Sequence, residues 1–487
     1  MTPAHHSSER RWPVLLLVVA VVAGVGALVA TRGTAPAEAQ PVPGALVSAP
    51  NAESSAWYCS GQSTASGAAI GSILLTNTTT RAATGSITLV TDAGTSVLTA
   101  VAIPARGQVV PSLPSPTSGS WLSEIVTISG GGVAVSELVH GSTGWSVTPC
   151  VSTTSSSWYF PIGSTAGANG LDISLLNPTS TPVVVDLAFV TPSGTTHPIN
   201  YQGIVLKPDE LQVVNVASEI QNQSTVATVV SARTGRMVAA EVQTVVGSQA
   251  GLSVLPGLPQ VESEWYLPQN MELSGGSSQI SVFNPGGTTE DVTVQLRLAS
   301  GALAPFTNRV APGALWVLTT SSETRIPQSD LYSATVKASG GPGVAVGRAV
   351  SAPSTNGAPQ VGLSNAIGGL STAAPSGLWV VQPPGTQSAP VVSDAAPYQL
   401  ALLNTSAAAA GYTVFAVSPA GTKLIATGTV DGGGTALMNP AALKNAGFDQ
   451  IIVRSAAPLA AAQDMTPTGT YGVVAVPGVP LAAPIAL

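Results

Sequence analysis

The chain has 487 residues, too long for one ordinary core, and roughly 150 residues per domain suggests three to four domains. Charged residues are only 8%, which argues against a coiled coil or helical solenoid, while 44% hydrophobic residues exclude a disordered chain. The net charge of −7, with no basic stripe, leaves nothing to displace counterions from phosphates, so nucleic acid is not an expected partner.

Residues 1–11 read as a short cytoplasmic tail ending in Arg10 and Arg11. Trp12 to Ala30 is a run of nineteen residues without charge, the length of a bilayer-spanning helix. The arginines before it place the N-terminus inside and the rest of the chain outside, as a single-pass membrane protein. Ala37-Glu38-Ala39 also has the form of a signal-peptidase site, so secretion after cleavage near Ala39 is the competing expectation. Residues 31–54, with four prolines, read as an extended linker.

Four repeats follow. They open with AWYCSG at Trp57, SWYFPIG at Trp158, EWYLPQN at Trp265 and LWVVQPP at Trp379. A second element ends at Asn77, Asn177, Asn284 and Asn404, and a glycine (Gly94, Gly194, Gly301, Gly421) lies 17 residues after each asparagine. The stretch between has apolar residues at alternate positions, the period of a half-buried strand, and the glycine suits a hairpin turn. Further paired apolar runs complete seven or eight short strands per unit. The expected fold class is therefore all-β: four tandem immunoglobulin- or fibronectin-like β-sandwich domains over residues 55–152, 153–261, 262–374 and 375–487, after one transmembrane helix. Propeller blades of about 40 to 45 residues fit less well. Short joints suggest a semi-rigid rod or arc. The opening tryptophans read as core or interdomain anchors, and the asparagines as Asx turns closing a strand on local backbone.

Cys59 and Cys150 are not in a metal-binding spacing. In an exported chain they read as a disulfide joining the first and last strands of repeat one, with a free thiol pair as the lesser alternative. The pattern resembles an uncharacterised family of exported, membrane-anchored actinobacterial proteins, a domain of unknown function. The unit is also similar to a widespread extracellular β-sandwich whose strands read like LLLNPS…VTVTLYDSSGT…LPPGG. The resemblance carries no catalytic residue. It implies residence in the cell envelope.

His140 and His197 fall in different repeats, and no nucleophile elbow, zinc motif, phosphate loop or dinucleotide fingerprint stands in a suitable context. No enzyme, cofactor or metal is expected. A polar residue recurs at one register of the penultimate strand: Glu137, Glu241, Arg348 and Gln463. It reads as the solvent face of a strand or, more sharply, as a row contacting a partner. Trp121, Trp145 and Trp316 occur singly and are candidate exposed rings. The expected function is a noncatalytic extracytoplasmic scaffold or interaction protein of the cell envelope, meeting a membrane or wall partner. The alternative is a carbohydrate-binding accessory in cell-wall or polysaccharide assembly.

Overall fold

The computed structural model describes residues 44–487 apart from 65–68, 95, 117, 273–274, 328–330, 353–358, 369–377, 382–397, 439–447 and 466–473. The tail, the proposed membrane segment at residues 12–30, the Ala39 site and the first part of the 31–54 linker lie outside the described residues.

Alternating side chains build strands as expected. VVVDLAFVT (Val183–Thr191) buries Val183, Val185, Leu187 and Phe189 and leaves the residues between half-buried. Gly194, Gly301 and Gly421 then turn the chain at φ 128°, 134° and 138°, where a Cβ would be strained. The fold is all-β, with eight antiparallel sheets, two for each repeat, and short 3₁₀ turns but no α-helix among the described residues.

Repeat one shows the plan. Its strands are β1 (Ser54–Ser63), β2 (Ile70–Asn77), β3 (Ala83–Thr91), β4 (Ser96–Ile103), β5 (Gln108–Val109), β6 (Trp121–Ser129), β7 (Val133–Gly141) and β8 (Gly144–Pro149). One sheet has the order β1-β6-β3-β4 and the other β5-β2-β7-β8. The chain therefore crosses repeatedly between two sheets, with β3–β4 and β7–β8 as hairpins within one sheet. Their inner faces share one core, in which Trp57, Ile87, Val126 and Ile128 of one sheet meet Ile73, Leu75, Val133 and Val135 of the other. The result is sandwich-like.

The asparagine of each repeat ties the two sheets together. Asn77, Asn177, Asn284 and Asn404 are wholly buried. Each Oδ1 accepts from the backbone N–H two residues on, at 2.9 to 3.0 Å (Thr79, Thr179, Gly286, Ser406). Each Nδ2 donates to the carbonyl four residues on and to a strand end of the opposite sheet, at Ile103, Leu206, Val310 or Val430. The Asx-turn expectation holds, and the same side chain also spans the sandwich.

The opening tryptophans are all buried at 0–1% exposure. Trp158, Trp265 and Trp379 donate Nε1–H to the carbonyls of Met237, Val344 and Leu459 at 2.7 to 2.9 Å. They are core residues, because a ring of that area gains most from full burial once its N–H is paired.

The expected rod or arc is corrected by the way the repeats join. The last strand of each repeat is an uncharged sheet edge: GWSVTP in β8, GLSVLP (Gly251–Pro256), QVGLSN (Gln360–Asn365) and VAVP (Val474–Pro477). Each packs on the next, and the fourth packs back on the first. Ser146 Oγ accepts from Val254 N–H at 3.0 Å, and Ser253 Oγ from Leu363 N–H at 2.9 Å, so side chains bridge edges that no sheet pairs. An open edge is a liability, and closing four edges on one another in turn produces a ring. The seam between repeats four and one is zipped by Val47, which lies parallel to Leu481. Val47 N–H donates to Pro480 O, and Ala482 N–H to Val47 O, both at 2.9 Å. Gln450 adds bonds to the carbonyls of Asn77 and Arg106. Residues 44–49, read from sequence as linker, are thus part of the closure, with Val47 fully buried.

Candidate functional site

The disulfide is formed. Cys59 and Cys150 are bonded, both nearly inaccessible, with Cα atoms 4.8 Å apart. Cys59 lies in β1 and Cys150 directly follows β8, where backbone bonds between Tyr58 and Val151 carry the closing segment from one sheet to the other. The bridge therefore pins the first and last strands of the repeat, as the spacing suggested.

The polar register of the penultimate strand is corrected. Glu137, Glu241, Arg348 and Gln463 are at most 5% exposed, so they form neither a solvent face nor a contact row. These strands, β7 and its equivalents, lie between two neighbours inside their sheets, and the register points into the sandwich. Each repeat handles the buried group differently. In repeat one, Gln62 Nε2 donates to Glu137 Oε2 at 3.4 Å, and buried Glu124 is a neighbour. Desolvation pushes the Glu137 carboxyl up to about 8, with Gln62 opposing it. Desolvation also raises Glu124 well above the usual carboxylate range, and the nearby Glu137 charge adds to this. In repeat two, Glu241 has no hydrogen-bond partner for either oxygen among the described residues, and burial raises it strongly. In repeat three, Arg348 donates to Ser364 Oγ at 2.9 Å, Asn270 Oδ1 at 3.0 Å and the Gln269 carbonyl. Sequence reasoning found the register but missed Gln62, Glu124 and Asn270. The available signal was strand parity, since Glu124 lies two and four residues before the core residues Val126 and Ile128.

Of the three candidate exposed rings, Trp145 is corrected: it is 1% exposed, in a cluster with Leu74, Leu138 and Val147 of repeat one and Val476 of repeat four. It stands on an edge strand that the ring closure covers. Trp121 and Trp316 are half-buried. Trp121 packs on two clusters that join residues of repeats one and two, and Trp316 on the cluster in which Val190 and Ala227 of repeat two join the third core.

Two cavities stand out among the described residues. One, about 110 Å³, lies among the closing strands and is lined mainly by apolar groups, including Pro256, Leu258, Trp265, Trp379 and Pro477. The larger, about 560 Å³, is a cleft at the junction of repeats three and four. Its lining mixes Leu298, Leu331 and Leu437 with Gln269, Arg297 and Asp431. The lining holds one acid and one base and no histidine or cysteine. No group of three or more histidine, cysteine, aspartate or glutamate side chains able to hold a metal occurs among the described residues.

Residues 131–318 match a family of unknown function (DUF5719), covering the end of repeat one, all of repeat two and half of repeat three. No curated protein matches the chain. Among solved structures, the chain aligns with a tetra-tandem repeat in the extending region of a large adhesion protein. The identity is 10%, over 88% of this chain and 100% of that one, with a TM-score of 0.11.

Proposed function

We propose that this protein is a noncatalytic scaffold or interaction protein of the cell envelope, built from four immunoglobulin-like β-sandwich repeats and held outside the cytoplasm by the segment Trp12–Ala30. The observation that carries this reading is the separation of the buried, strongly shifted carboxyls from the open cleft. The strongly shifted carboxyls of Glu124, Glu137 and Glu241 are shut inside sandwiches, while the seam cleft offers a mixed wall of leucines and hydrogen-bonding groups. Ring closure supports it too. Four repeats locked edge to edge present one rigid surface, which lowers the ordering cost of binding a partner. The carbohydrate-binding alternative has less support, because the opening tryptophans are buried and Trp121 and Trp316 lie against neighbouring repeats.

A photo-crosslinking residue at Leu437, beside the cleft and 38% exposed, tests the reading in the native envelope. A discrete adduct with an envelope protein is expected, in the membrane fraction. Recovery of the protein in the cytosol without any adduct overturns it.

A further inference from the structure

We propose that the cleft between repeats three and four seats an aromatic side chain, an indole above all, presented by a partner protein. This rests on the interaction reading and names the chemistry of the partner.

Trp121 begins β6, pairs with Ser63, and stands one residue before Leu122, the partner of Gln62. In repeat three the same register falls on Leu331, which pairs with Met271 and stands one residue before Tyr332, the partner of Asn270. Trp316 pairs with Val282, two residues before Asn284. In repeat four that register falls on Ala436, which pairs with Leu402, two residues before Asn404. One position reaches forward from a repeat to the next, and the other reaches back. At the first seam Trp121 occupies the forward position and packs on the clusters shared by repeats one and two. At the second seam Trp316 occupies the backward position and packs on the cluster shared by repeats two and three. The fourth seam is bridged by Gln450, whose amide donates to Asn77 O at 2.9 Å and Arg106 O at 3.1 Å.

At the third seam both positions are aliphatic. Leu331 and Ala436 line the open cleft together. At two of the other three seams the fold sets its own indole at one of these two positions; here neither position carries a ring and the cleft is open. A volume of about 560 Å³ falls within the range of roughly 300 to 1,000 Å³ found for ligand pockets.

The lining also carries the polar group an indole requires. Indole N–H is a donor with no acceptor, so it needs an acceptor in a dry wall. Gln269 lines the cleft and is 3% exposed. Its Nε2 donates to Gln399 Oε1 at 2.8 Å, while its own Oε1, a buried atom behind the cleft surface, has no partner among the described residues and would meet a ring after a side-chain rotation. Half-buried Arg297 provides a planar cation that can stack on a ring.

The test uses the full chain in detergent, with 5-fluoroindole followed by ¹⁹F NMR. Wild type should bind the probe. Ala436→Trp, which restores the ring found at the second seam, should weaken binding at least about tenfold without lowering the unfolding temperature. Gln269→Leu should weaken it about two- to tenfold and stands in if Ala436→Trp fails to fold. Absence of wild-type binding, or unchanged affinity in both variants, overturns the proposal, as does cleft binding of a wall oligosaccharide in place of the indole. Crosslinking separates this from the broader reading. Adducts that persist in Ala436→Trp overturn the cleft assignment and leave the interaction function standing. Loss of all adducts in wild type, with indole binding retained, sinks that function and keeps the site.

Discussion

Leu171 fills in repeat two the space that Gln62 fills in repeat one. Gln62 lies over Gly71, where a Cβ would fall 1.9 Å from its side chain, and Leu171 lies over Gly163, with its methyls 3.0 and 3.1 Å from the position of a Cβ. Gly71 and Leu171 occupy the same register, as do Gln62 and Gly163, so the bulky and the empty position have exchanged strands. The exchange replaces an amide with methyl groups and leaves Glu241 without the partner that Glu137 keeps.

This pair should therefore behave as a unit. Leu171→Gly alone is expected to cost about 2 to 5 kcal/mol through the cavity it leaves. Gly163→Gln alone forces a side chain against Leu171 and is expected to cost about 1 to 3 kcal/mol. The double variant recreates the repeat-one arrangement and should recover at least about 1 kcal/mol of the sum. Urea unfolding of the four proteins measures this, and strict additivity would refute the exchange.

Stability should fall as the solution becomes alkaline. Glu137 has a folded value of about 8, above the ordinary carboxylate value, because burial disfavours its charge. A raised folded value means the contribution is complete below the unfolded value, near 4.5, and is lost as pH rises through about 8. Glu137→Gln cannot ionise. Its unfolding temperature should decline less than that of wild type between pH 5 and 9, checked by calorimetry across that interval. A parallel decline would contradict the assignment.

The asparagine staple predicts a large loss from a small change. Asn284→Ala removes the acceptor for Gly286 N–H and the donor to Thr288 and Val310. Three bonds of a buried side chain, one of them fully buried, at about 1 kcal/mol each set the scale, about 3 kcal/mol. Asn284→Asp keeps the acceptor and loses the donor, so it should be destabilised as well. Chemical denaturation of both variants checks the order, and a loss below about 1 kcal/mol in Asn284→Ala would remove the staple from the account.

The closing seam should open locally before the cores do. Val47→Asp places a charge at a fully buried site between the first and fourth repeats. Hydrogen exchange should quicken at Ala482, Leu481 and the strand Leu378–Val381, while Leu175 and Val185 of repeat two keep their protection. Uniform loss across all repeats would show instead that the ring unfolds as one.

The local rules of this chain were legible without coordinates. Alternation marked the strands, the glycine 17 residues after each asparagine marked a hairpin, and the two cysteines fell where one bond could join them. These features depend on neighbours along the chain or on a register repeated four times, so spacing carries them. What only the tertiary structure decided is which edges meet. β8 and its three equivalents are short, uncharged strands whose sequences do not distinguish a solvent edge from one covered by another repeat. Closure of those edges buried Trp145. Packing between the two sheets turned Glu137, Glu241, Arg348 and Gln463 inward, and the neighbouring repeat determined whether a seam holds Trp121, Trp316 or an open cleft. Burial is a property of what arrives from elsewhere in the chain, and no residue's own identity specifies it.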